Sequence, residues 1–83
     1  MSNYLVWEYS IIETDGEAKE TVGAYKYDNE KDALKAYHQK LAGACSNPSY
    51  IKESVILSNT NGQLIKSECI PEAILHPQDD VEE

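Results

Sequence analysis

Between Tyr4 and Glu13 the chain alternates. Leu5, Trp7, Tyr9 and Ile11 put a large apolar group at each odd position, while the even positions Tyr4, Val6, Glu8, Ser10 and Ile12 are mixed. A period of two predicts a strand with one buried face, and the odd set is the face expected inside. Thr14-Asp15-Gly16 supplies turn chemistry, because glycine takes a positive φ without a Cβ clash, and residues 19–27 return as a second strand. Two closures fit the pattern. A three-residue loop sets Trp7 opposite Gly23 and Leu5 opposite Tyr25, whereas a two-residue Asp-Gly turn sets Trp7 opposite Ala24 and Tyr9 opposite Val22.

At Asp28 and Asn29 the period lengthens to about three and a half. Ala33, Ala36, Tyr37, Leu41, Ala44 and Cys45 fall on one stripe with Leu34 at its shoulder, which predicts a helix. Asn29 or Asp28 is its cap, Glu30 and Asp32 stand at the positive end of its dipole, and Asn47-Pro48 ends it. Three alanines on the buried stripe imply a close approach to the layer beneath, with Trp7 expected to fill the space below.

Residues 50–58 and 63–70 read as third and fourth strands around the turn Asn59-Thr60-Asn61-Gly62. A type I turn with Gly62 as a left-handed bulge residue places Leu57 opposite Ile65, Val55 opposite Ser67 and Glu53 opposite Cys69, gathering Val55, Leu57, Ile65 and Cys69 on one face. The two-residue alternative pairs Leu57 with Lys66 and Val55 with Glu68, and the cost of burying those charges disfavours it.

The order ββαββ predicts an α+β fold: a four-stranded antiparallel sheet in the order 2-1-3-4, with the helix packed on one face as the crossover. The two most apolar strands are then central, and the strands carrying lysines and acids lie at the edges. One helix covers one face of such a sheet. On this reading Tyr4, Val6, Ile12 and Ile56 form the uncovered face and are candidate partner contacts. Residues 1–70 make one domain, and 71–83 an acidic tail expected to be disordered apart from one packed turn at Ile74 and Leu75.

Charge sharpens the picture. The formal net of −8 divides into −3 over residues 1–27, zero over 28–70 and −5 over 71–83, so the acid lies at the two ends. All seven basic residues are lysine. Without arginine, the bidentate reader of phosphate and guanine, direct nucleic-acid binding is disfavoured, while a basic protein partner remains open. Glu13, Asp15, Glu17 and Glu20, clustered around the first turn, are the candidate contacts for such a partner. The tail acids Asp79, Asp80, Glu82 and Glu83 offer a second cluster.

Chemistry is harder to find. His38 and His76 have no ligand or catalytic partner at metal-type spacing, and Cys45 lies two helical turns from His38, about 10 Å away and beyond hydrogen-bond reach. None of the four glycines forms a phosphate-cradling loop before a helix. No enzyme activity, metal or cofactor is expected. The apolar runs fall short of the ~20 residues of a membrane helix, and the cysteine spacing and N-terminal composition lead us to expect a reducing cytoplasm. Six tyrosines and no phenylalanine suit sites with one apolar and one wet end, either the rim of a thin core or an interface.

At YLVWEYSI, ETDG, TVGAYKY and ALKAYHQKL the chain resembles a group of small uncharacterised proteins encoded by gut bacteria and by their phages and mobile elements. The resemblance spans roughly residues 4 to 70. It implies no catalytic residue and no reaction. It does imply a setting in which small acidic proteins bind and block larger host or defence proteins. The expectation is therefore a non-enzymatic interaction protein, an inhibitor of a basic nucleic-acid-handling protein, with a homodimer joined through the open face or an edge strand as the alternative.

Overall fold

A computed structural model describes residues 2–75. The elements are β1 (Tyr4–Thr14), β2 (Glu17–Tyr27), α1 (Glu30–Ser46), β3 (Tyr50–Asn59), β4 (Leu64–Ile70) and the single turn α2 (Glu72–Leu75). The four strands form one antiparallel sheet in the order β2-β1-β3-β4, with α1 packed on one face, the α+β arrangement expected. Asn29 is the helix cap: its side chain accepts a hydrogen bond from the Asp32 amide. Ala33, Ala36, Tyr37, Leu41 and Ala44 are buried on the stripe as predicted, whereas Cys45, the next residue round the helix, is exposed.

The first hairpin closes through the two-residue turn. Asp15 and Gly16 take φ of 56° and 81°, both left-handed, so Trp7 lies opposite Ala24 and Tyr9 opposite Val22. Primed turns of this kind match the twist of the strands that they join.

The second hairpin keeps the predicted turn and departs from the predicted register. Gly62 has φ of 87°, its amide donates to the Asn59 carbonyl, and Asn59 in turn donates to Gln63, the bulged type I closure. Ser58 accordingly pairs with Leu64. An irregularity between Leu57 and Ser58 then shifts the ladder, and Leu57 meets Lys66, Val55 meets Glu68 and Glu53 meets Ile70. The cost expected for burying Lys66 and Glu68 is avoided because β4 is an edge strand and both side chains are exposed at its rim. The shift brings Ile70 into the core and turns Cys69 away from it.

The larger correction concerns β1. Its even positions face the helix: Val6 is fully buried and Tyr4 packs against the same cluster of Ala33, Tyr37, Leu41, Val55, Leu57 and Ile70. The odd residues lie on the uncovered face, where Trp7 stands opposite Ile56. The large aromatic of the core is Tyr37, which α1 itself brings in and which is fully buried, while Trp7 remains half-exposed. Beyond Ile70 the chain turns into α2, where the Pro71 carbonyl accepts from the amides of Ile74 and Leu75, and Leu75 packs on the core. The tail residues 76–83, including Asp79, Asp80, Glu82 and Glu83, lie outside the described residues.

Candidate interaction face and buried carboxyl cluster

Because side chains alternate across a strand, the ladder pairs fix what the open face presents. Trp7 and Ile56 lie side by side at its centre, 42% and 40% exposed, between Ala24 on β2 and Ser67 on β4. Tyr9 and Val22 continue the row towards the first turn, and Leu5, Leu64 and Ile65 lie at the other end. Two polar contacts hold the large rings in place. Trp7 Nε1 donates to Ser58 Oγ at 3.2 Å, and Tyr9 Oη donates to Glu20 Oε2 at 2.5 Å. The carboxylate accepting that proton holds the Tyr9 hydroxyl above its ordinary pKa.

Of the candidate contacts, Ile56 is on this face, while Val6 is buried under α1, and Tyr4 and Ile12 share its side of β1. They are replaced by Leu5, Trp7, Tyr9 and Val22. The parity error has a definite source: both faces of β1 carry apolar groups, and the ladder seats Val6 beside Leu57 and Trp7 beside Ile56. Once Val55 and Leu57 are assigned to the core, that pairing would have placed the even residues there too. The acidic candidates are all exposed. Asp15 is in the turn, Glu13 and Glu20 share the open-face parity of Trp7, and Glu17 points to the helix side.

The helix side holds a polar cluster that the sequence reading missed. Glu53, on the central strand β3, is 0% exposed. Ser10 Oγ donates to its Oε1 across the β1–β3 ladder, and its Oε2 has no conventional donor within reach. Glu8 lies beside it, and Lys40 on α1 sits 3.5 Å from Glu8 Oε1 and 3.6 Å above the Tyr25 ring centroid. Tyr25 lies across Gly23, where a Cβ would come within 2.7 Å of the phenol oxygen, so the glycine makes room for the ring. Burial foremost, with the hydrogen-bonded Glu8 carboxylate next, raises the Glu53 pKa to about 8. At neutral pH Glu53 is therefore a neutral acid, whose proton can bond Glu8 and so satisfy Oε2. Burial, with Glu8 and Glu53 adding to it, also raises Tyr50. A serine followed on the facing strand by a glutamate gives no sequence signal until the ladder register is known.

Among the described residues no three histidine, cysteine, aspartate or glutamate side chains are grouped to hold a metal, and no helix is long and apolar enough to cross a membrane. No family model, curated protein or solved structure matches the chain.

Proposed function

We propose that this chain is a non-enzymatic interaction protein that binds a larger protein through its open sheet face, with the acidic first turn beside that face meeting basic groups on the partner. The observation that carries this reading is the exposed Trp7–Ile56 pair at the centre of an apolar face. Large apolar and aromatic groups left in water at the middle of a patch, rather than at its rim, are the composition of binding hot spots. The hydrogen bonds to Ser58 and Glu20 fix the rings before any partner arrives, which lowers the ordering cost of binding. Catalysis is disfavoured by the same geometry, since Glu53, the acid with the most displaced pKa, is sealed from solvent.

The resemblance to small proteins of gut bacteria, phages and mobile elements supplies the setting. There the partner is a basic, nucleic-acid-handling host or defence protein in the cytoplasm, and binding blocks it. The test uses the full chain as bait in host lysate beside two variants, Ile56→Lys and the fourfold serine replacement of Glu13, Asp15, Glu17 and Glu20. A specific basic protein that salt releases from the wild type, that is lost on Ile56→Lys and that the fourfold variant holds more weakly supports the reading. Equal capture by all three folded baits overturns it.

A further inference from the structure

The two edges of the sheet differ. β4 has seven residues and a ladder irregularity, the device by which proteins blunt an edge, while β2 has eleven residues in an unbroken register with β1 and no proline. The two-residue turn decides which backbone groups of β2 are free. Thr14 and Glu17 form the hydrogen-bonded pair that closes it, so alternate residues from Glu17 to Tyr27 bond to β1, and Ala18, Glu20, Val22, Ala24 and Lys26 direct their amides and carbonyls outward. From Thr21 to Ala24 that edge carries no charge. Glu20 and Lys26 flank this stretch at equal distance from Gly23, and the ladder puts both on the open face.

We propose that the outer edge of β2 pairs with β2 of a second copy of this chain, antiparallel about Gly23, joining the two sheets into one. Centred there, Val22 meets Ala24 through outward-facing backbone groups, and Glu20 of each copy lies opposite Lys26 of the other. An antiparallel two-fold repeats the charge pair on both sides of the axis, as an isologous interface requires. Only one Glu20 oxygen is engaged by Tyr9, which leaves Oε1 for the lysine. Neighbouring registers lose the match. Centred on Val22, Glu20 meets Ala24 and Lys26 meets Ala18; centred on Ala24, Glu20 meets Asp28 with like charge. The arrangement also sends the two acidic turns to opposite ends, roughly 45 Å apart at ~3.3 Å per residue, so the negative charge of one turn does not oppose the other. The pairing uses the edge of the sheet and leaves the Trp7–Ile56 centre of the face open; Glu20 is the residue it shares with the acidic turn, and sedimentation of the chain alone tests it apart from capture of another protein.

Sedimentation equilibrium of the full chain tests the proposal with wild type, Glu20→Lys, Lys26→Glu and the double exchange, each checked for folding by circular dichroism. The wild type is expected to be a dimer. Each single reversal sets like charges opposite one another twice and weakens the dimer by roughly tenfold or more. An equimolar mixture of the two single variants regains association as a heterodimer, and the double exchange regains it alone. A monomeric wild type up to the highest soluble concentration overturns the proposal, as does a dimer that both single reversals leave intact.

Discussion

Lys40 on α1 places its ammonium 3.5 Å from the Glu8 carboxylate on β1, and the same nitrogen caps the face of Tyr25. This ion pair ties the helix to the polar half of the sheet, where Glu8, Ser10 and Glu53 take the place of apolar packing. Both partners are mostly shielded from water, so the pair counts for more than an exposed one, and its loss leaves Glu8 beside Glu53 with no cation. Lys40→Met keeps the aliphatic stem and removes the charge. It should cost about 1–2 kcal/mol in urea unfolding at pH 7, and an unshifted midpoint would show that water already solvates Glu8.

Glu53 makes stability depend on pH in a direction opposite to the usual carboxylate. Its folded pKa of about 8 lies above the ordinary value of 4.5, so between those limits the native state holds a proton that the unfolded chain has released. Its contribution is complete below pH ~4.5 and is lost progressively as the pH rises to about 8. Thermal melts from pH 5 to 9 should show the melting temperature falling as the pH rises to about 8 and levelling beyond it. Glu53→Gln, which keeps the shape and carries a permanent donor for Glu8, should flatten that slope and exceed the wild type at pH 9. A wild-type profile that rises towards pH 9 would mean that Glu53 is ionised in the fold.

The strands, helix, topology and second turn were all legible from a period of two, a period near 3.6 and a glycine at φ > 0, and the cap was narrowed to Asp28 or Asn29, of which the structure uses Asn29. What was not legible is which face of β1 is covered. Periodicity reports that a face is apolar, and β1 has two such faces; the β1–β3 register, which seats Val6 beside Leu57, sets which of them lies under the helix, a tertiary fact. The Glu8–Ser10–Glu53–Lys40 cluster was hidden for a related reason. Its members come from three elements, and a buried acid on a central strand reads locally as a surface residue. The four acids of the first turn were legible as exposed charge, yet their division between the two sides follows from the hairpin register, which the sequence left open.

The parity of β1 can be checked without a structure. Val6→Ala removes buried methyl groups from the core and should cost about 2 kcal/mol, whereas Ile56→Ala, on the open face, should cost less than ~1 kcal/mol. Trp7 is the only tryptophan, so its fluorescence reports from the same face. In the folded protein acrylamide should quench it readily, and a strongly protected emission would return Trp7 to the space beneath α1.

The first turn is a place where conformation, more than contact, decides stability. Asp15 and Gly16 both have positive φ, and no heavy atom lies within 4 Å of the position a Gly16 Cβ would take, so Gly16→Ala meets open space and pays for backbone conformation alone. That change should cost about 1–2 kcal/mol, since an L-residue is strained in the left-handed region. Asp15→Asn should go the other way by a few tenths of a kcal/mol, because asparagine tolerates that region well and the exchange removes one of the charges crowded around the turn. Opposite shifts of the urea midpoint at two adjacent, exposed residues are what the primed turn requires. If the wider three-residue loop formed in solution, residue 15 would have no need of a left-handed conformation, and Asp15→Asn would gain no more than Asp15→Ser, which removes the same charge. The pair of measurements therefore fixes the register that sets Trp7 beside Ala24, and with it the set of β2 residues whose backbone faces outward.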